Sequence, residues 1–308
     1  MFNFKNLLLI LLIFFFNFPT NATIKIKYKI GDEIITNIDI INEKKYLIFL
    51  RPNLKNLTDE EIIKISENSL IREIIKKKEI DKIFNNVENP NFINQIKNNL
   101  FKFKNVKNED EFVMLLKKND IKYEKIIDKI KYEGLWNELI FNKYNSLIKI
   151  DKGKLKKELI DKLSKNKKYE FNLSEIVFEI NKDETLELKK NIILKYIKSN
   201  DFKAAASKYS ISSSSNIGGE IGWIKETLLS ESLLKIIKSL KIGQISEPLK
   251  YPNGYLLLKI NDKKEMKQIL SIEKELDELV KFEKNRQLNQ FSLLFFKKLK
   301  QNTIINEN

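Results

Sequence analysis

The sequence predicts an α+β protein: a mostly helical body, made of N-terminal helices and one C-terminal helix, with a single inserted module in which a small β-sheet is surrounded by helices. Three observations predict it. Apolar residues recur at helical spacing through most of the first half of the chain. Between residues 169 and 262 short apolar runs alternate with helical stretches and glycine-bearing turns. From residue 263 helical spacing returns, and its apolar stripe needs a partner to be kept from water.

At the N-terminus one lysine, Lys5, precedes the apolar run Leu7 to Phe16, and the chain turns polar through Asn17, Pro19, Thr20, Asn21 and Ala22. A charged start, a short apolar run and a small residue at the exit are the parts of a secretory signal peptide. The run is about half of the roughly 20 apolar residues that a membrane span needs. Residues 1–22 are therefore expected to be cleaved near Ala22, with a soluble mature chain from Thr23 and no stable membrane insertion.

Composition narrows the chemistry. The 308 residues are 42% hydrophobic and 32% charged, enough to bury a core. The chain holds neither cysteine nor histidine. Thiol nucleophiles, thiolate metal sites, serine-histidine triads and zincin sites are thereby excluded, and no metal or other cofactor is expected. The net charge of +15 is carried almost wholly by lysine, since Arg51, Arg72 and Arg286 are the only arginines. Lysines interspersed with 42 acidic residues describe a solvated surface. A nucleic-acid partner, which would want clustered arginine and lysine beside stacking aromatics, is not expected. Attraction to anionic lipid surfaces fits better.

The body, residues 23–168, begins with a strand over Ile24 to Ile30 that turns through Gly31-Asp32 into Ile34-Ile35. Thr36 caps the first helix, with Asp39 as its capping-box partner and Ile38, Ile41 and Phe49 marking the buried face. Arg51-Pro52-Asn53 ends it. Thr58 with Glu61 opens a long helix carrying Ile62, Ile63, Leu70, Ile71, Ile74 and Ile75, and Asn108 with Glu111 opens another. A third long segment, Tyr123 to Ile148, carries Ile126, Ile127, Ile130, Trp136, Leu139, Ile140 and Tyr144. Most of this stripe reads as core.

In the module, residues 169–262, Tyr169 to Ile180 reads as a buried strand. Helices follow over Glu184 to Lys198 and Phe202 to Lys208, then a serine- and glycine-rich loop, Ser210 to Glu220. A strand at Ile221 to Ile224, a helix at Leu229 to Leu240 and strands at Ile245 to Leu249 and Gly254 to Ile260 complete it, about 95 residues in all. The closing region, residues 263–308, is one helix with Leu276, Leu279, Val280, Leu294, Phe295 and Leu299 in its stripe. It is expected to pack on the N-terminal helices, with no partner inside the module.

The module's motifs are Asp201-Phe202-Lys203-Ala204-Ala205-Ala206, then Tyr209-Ser210, then Gly218-Gly219-Glu220-Ile221-Gly222-Trp223. Leu240-Lys241-Ile242-Gly243-Gln244-Ile245-Ser246-Glu247-Pro248 and Pro252-Asn253-Gly254-Tyr255 follow. Taken in this order, they resemble the parvulin (PpiC, rotamase) family of prolyl isomerases. Ile30-Gly31-Asp32-Glu33-Ile34-Ile35-Thr36-Asn37-Ile38-Asp39 is similar to the opening of the SurA family of periplasmic chaperones, and the order of body, one parvulin-like module and closing helix fits that family as well.

The resemblance implies a periplasmic chaperone whose partners are unfolded outer-membrane polypeptides, above all proline-containing and aromatic-rich segments. It also implies a prolyl isomerase site. Rotation about a peptide bond faces a barrier of about 18–20 kcal/mol, and lowering it needs an apolar slot and polar groups favouring the twisted amide, with no cofactor. Active parvulins place two histidines on central strands beside a loop cysteine or aspartate. The corresponding positions here are Glu175, Leu256 and Ser212, so Glu175 and Ser212 are the catalytic candidates by position and turnover is expected to be weak or lost. On its residues alone, Glu175 reads as a strand carboxylate paired with a surface lysine. The substrate-binding candidates are Ile221, Trp223, Leu229, Leu233 and Asn253, although Leu229 and Leu233 equally suit an ordinary core. A dedicated isomerase held by helical arms, or an assembly protein using the fold only to bind peptides, is the competing expectation.

Overall fold

A computed structural model describes residues 23–84, 90–164, 168–181, 183–252, 254–266 and 271–308, with backbone alone at 90–92. The expected signal segment, residues 1–22, and the candidate Asn253 lie outside the described residues. The fold is α+β.

Strands β1 (Ile26–Ile30) and β2 (Glu33–Thr36) form a hairpin, with Gly31 at φ +61° in the turn. Helices α1 (Asn37–Leu50), α2 (Asp59–Asp81), α3 (Pro90–Lys104), α4 (Glu109–Lys118), α5 (Tyr123–Tyr144) and α6 (Lys152–Leu163) follow. Their starts are written in the sequence. The Thr36 hydroxyl accepts from the Asp39 N–H at 3.2 Å while the Asp39 carboxylate accepts from the Thr36 N–H at 2.9 Å. Thr58 and Glu61 repeat the box at α2, and Asn108 and Asp151 cap α4 and α6.

The inward face of α1 differs from expectation. Phe49 is buried as expected, but Ile41 is exposed, and Ile40, Glu43 and Leu47 are buried in its place. Glu43 can face inward because Lys129 of α5 lies 2.9 Å from its carboxylate and Ser69 of α2 donates to it at 2.6 Å. A buried charge is tolerated only with such partners, and no apolar pattern within one helix can show them.

The second sheet is antiparallel in the order β4-β3-β6-β5, from β3 (Tyr169–Phe178), β4 (Glu220–Lys225), β5 (Leu249–Tyr251) and β6 (Gly254–Glu265). Alternate residues of β3 and β6 serve two cores. Ile176, Phe178 and Leu257 pack on α7 (Leu186–Ser199) and α8 (Phe202–Tyr209), whereas Leu173, Val177, Leu256 and Leu258 pack with Leu229 and with Ile237 of α9 (Glu231–Ser239). The expected strand at Ile245 to Leu249 keeps a bridge, Ile245 to Lys259, and its last residue, Leu249, which opens β5. Pro248, which has no N–H for a ladder, falls just before β5. In the other direction β6 outruns its expected end, pairing Tyr169 with Glu265.

The last helix, α10 (Ile272–Gln301), meets the body as expected: Phe295 joins Ile80, Leu135, Trp136, Leu139 and Ile140 in one cluster. Leu294 of the expected stripe is exposed. The expectation that α10 has no partner in the module is also corrected. Buried Glu275 lies 3.0 Å from Lys225 and accepts from the Thr227 hydroxyl at 3.1 Å, both in the module. After α10, β7 (Ile305–Glu307) pairs antiparallel with β1, bringing the two described ends of the chain into one sheet. Among the described residues no helix is long and apolar enough to cross a membrane.

Candidate functional site

The site is organised by the serine loop between α8 and β4. Ser210 accepts through Oγ from the Val177 N–H at 3.1 Å, and the Ile211 N–H donates to the Val177 carbonyl at 2.8 Å, which stitches the loop to the central strand β3. A 3₁₀ turn over Ser213–Ile217 follows and ends at Gly218. Gly219, at φ +78°, then accepts from the Glu175 N–H at 2.8 Å. A Cβ on Gly219 would sit 2.3 Å from the Glu175 carbonyl oxygen, so this approach of loop to strand needs a glycine.

The result is a small polar cluster. Ser212 Oγ and Ser214 Oγ donate to the same oxygen of Glu175, Oε1, at 2.6 and 2.8 Å. Glu175 is thus held by two hydroxyls rather than by the surface lysine expected from the sequence. Beside it lies a cavity of about 650 Å³ on the α9 face of the sheet. Glu175, Ser212, Ile221, Leu229, Leu233 and Leu256 all line it. Trp223 does not: it is 40% exposed, with Lys264 Nζ 4.1 Å from its ring centroid. Leu229 has both roles the sequence allowed, lining the cavity and packing in the core at 3% exposure. Leu233 is only partly buried and is the cleaner probe of the slot.

Sequence reasoning missed the residues that reach this site from outside. Ser214 is one hydroxyl among several in the loop. Tyr251 of β5 and Phe282, Arg286 and Gln290 of α10 also line the cavity. Arg51 donates through Nη1 to the Ser215 carbonyl at 2.9 Å and to the Ser207 hydroxyl, and Arg72 donates to Ser215 Oγ at 3.0 Å. Burial lowers the Arg51 guanidinium to about 10. One signal was available: in a chain so rich in lysine, all three arginines address the serine loop or the cavity, where a planar fork of fixed donors serves better than an ammonium.

Residues 171–262 match the family model described as Rotamase, the PPIC-type PPIase domain. This chain carries a PpiC-type domain. The chain is also 28% identical over 316 aligned residues to the periplasmic chaperone PpiD of Buchnera aphidicola subsp. Schizaphis graminum, covering 94% of this chain and 46% of that protein. The chaperone SurA of Pseudomonas putida is 36% identical over 64 residues, 21% of this chain and 15% of the relative. Among solved structures, a SurA-like chaperone of Campylobacter jejuni aligns with 92% of this chain and 98% of its own, at 17% identity and a TM-score of 0.34. The chain spans less than half the length of these curated relatives.

Two ionised carboxylates set a pH dependence: Glu61, which ties the helical body to the PpiC-type domain, and Glu283, which lines the cavity and is paired within α10. Burial pushes the Glu61 carboxyl up, but Lys208 Nζ at 3.0 Å and the Thr58 N–H at 3.3 Å outweigh it, so it lies below its ordinary 4.5. Glu283 behaves alike: burial is outweighed by Arg286, which donates through Nε and Nη2 at 2.7 and 2.6 Å. With folded-state values depressed, the unfolded chain binds more protons, so these contributions are whole above pH 4.5 and are lost as the pH falls through the depressed values. The urea midpoint is expected to fall on acidification below pH 4.5, and less steeply for Glu61→Gln, which has no carboxyl to titrate there. Equal slopes for the two proteins would remove Glu61 from this account.

Proposed function

We propose that this chain is an exported, periplasmic chaperone for unfolded outer-membrane polypeptides. Its PpiC-type domain takes proline-containing, aromatic-rich segments into the slot and turns them over slowly. The division that goes with this reading is a cleaved segment at 1–22, a helical body at 23–168, the domain at 169–262 and a closing helix at 263–308. The observation that carries the proposal is the slot itself: an apolar cavity of about 650 Å³, of the size that ligand pockets occupy, whose polar corner is a carboxylate and two serines. Similarity to SurA and PpiD chaperones supports the client-holding part.

The chemistry supports the low turnover. Where active parvulins carry two histidines and a loop acid or thiol, the cavity lining here offers Glu175, Leu256 and Ser212, and the chain has no histidine anywhere. Removing one donor aimed at developing charge costs other enzymes roughly 10²-fold or more in rate. Client holding draws instead on apolar contact and on backbone pairing along an extended chain, which those positions leave intact.

The test is a paired assay on the mature protein, measuring prolyl isomerisation of a short peptide and suppression of aggregation of an unfolded outer-membrane barrel. Isomerisation about 10²-fold below that of histidine-bearing parvulins, with aggregation suppressed, is the expected result. Leu233→Ala is expected to weaken peptide binding while the circular dichroism spectrum is unchanged. A rate equal to that of histidine-bearing parvulins would instead make the chain a dedicated isomerase.

A further inference from the structure

The cavity is not enclosed by the PpiC-type domain alone. Phe282, Arg286, Asn289 and Leu293 of α10 line it too, and their spacing of four, three and four residues places them on one helical face. A different face of the same helix is committed to the body. Phe295 stacks on Trp136 with centroids 5.7 Å apart and Phe291 stacks on Tyr144 at 4.8 Å, while Ser292, which accepts from the Trp136 indole N–H at 2.8 Å, stands between the two faces and also lines the cavity.

The helix is also fixed to the domain at its N-terminal end. Lys225 lies 3.0 Å from Glu275 and 2.6 Å from Glu278, and Glu275 is fully buried. A helix tied at both ends, with residues between the ties lining the cavity, is held as part of its wall. Groups from its two sides converge on Tyr251: burial raises that hydroxyl, Glu175 on β3 adds to the rise and Arg286 on α10 opposes it. Tyr251 belongs to β5, which among the described residues has a strand neighbour on one side only, so the lining includes the edge strand of the sheet. Such an edge accepts an extended chain.

We infer that α10 is the second wall of the peptide slot, with Phe282 and Arg286 as specificity-determining residues that contact an extended, proline-containing segment lying between α10 and the β5 edge. This rests on the slot reading above and goes beyond it, because it makes peptide recognition a joint property of the domain and the closing helix.

The experiment uses the full mature chain and a short fluorescein-labelled peptide with one proline between aromatic residues, read by anisotropy. Arg286→Ala and Phe282→Ala are compared with Leu233→Ala in the domain and with Lys281→Ala, an exposed α10 position outside the cavity lining. The Arg286 side chain is 45% exposed, so its removal tests recognition without opening a core. The expected result is affinity about tenfold weaker for Arg286→Ala, Phe282→Ala and Leu233→Ala, and unchanged for Lys281→Ala. Wild-type affinity in both lining variants of α10, with Leu233→Ala still weakened, would overturn the inference and leave the slot reading standing. Tighter binding in those variants would overturn it too, making α10 a cover over the slot. Absence of peptide binding by the wild type would end the slot reading and this inference with it.

Discussion

Gly219→Ala is expected to destabilise the PpiC-type domain by about 3 kcal/mol or more, the sum of two separate costs. The first is conformational: Gly219 sits at φ +78°, and an L-residue held in the left-handed region loses roughly 1–2 kcal/mol. The second is steric. The new methyl would lie 2.3 Å from the Glu175 carbonyl oxygen and 2.8 Å from Ala206 Cβ, and neither can yield as a flexible side-chain tip would. Loop and strand must part, taking the Ser212 and Ser214 hydroxyls away from Glu175.

Gly222→Ala is the matched control. Its φ is +89°, but no atom lies within 4 Å of the added Cβ, so only the conformational cost of about 1–2 kcal/mol applies. Urea unfolding followed by circular dichroism compares the two variants. Equal losses would mean that the contact of loop and strand does not decide the fold of the site.

Trp136→Ala is expected to cost about 3–5 kcal/mol in the body. The indole is 1% exposed and belongs to the cluster that joins α2, α5 and α10. Its removal leaves a large cavity, withdraws the ring stacked on Phe295, and leaves the Ser292 hydroxyl without its indole donor. Lys76, whose Nζ lies 5.2 Å from the ring centroid, loses that neighbour and keeps Glu133 at 2.9 Å. The chain has two tryptophans, so Trp223 remains as a fluorescent reporter in the domain. Its emission, compared with the far-ultraviolet signal of the helices, measures whether the domain unfolds with the body. A loss below about 1 kcal/mol would mean that α10 is anchored elsewhere.

The two substitutions probe features of very different legibility. Gly219 belongs to a glycine pattern readable in the chain, because a strand entered through positive φ angles needs glycine whatever surrounds it. The helix starts were readable for a similar reason: Thr36 with Asp39 and Thr58 with Glu61 satisfy their own orphan N–H groups within four residues. The candidates Glu175, Ser212, Ile221, Leu229 and Leu233 came through motif order, and all five line one cavity. Trp223 fell outside that lining because β4 is bulged: Gly222 and Glu220 pair with the adjacent residues Leu173 and Ser174, so Ile221 is an extra residue and the alternation that would put it on the side of Trp223 is broken.

By itself, then, the sequence determined what depends on neighbours along the chain: caps, turns, the α+β class and the absence of histidine and thiol chemistry. Only the tertiary structure decided what depends on partners far away. Glu43 faces inward because Lys129 meets it there, 86 positions on by the numbering of that pair. Helix α10 divides its apolar residues between Trp136 on one side and the cavity on another, so no single stripe marks either face. The two ends of the described chain share a sheet because Tyr28, Lys29 and Ile30 find Glu307, Asn306 and Ile305. Burying a charge, or splitting a helix between two partners, is favourable only when both sides are assembled, and that condition is written in no local stretch of residues.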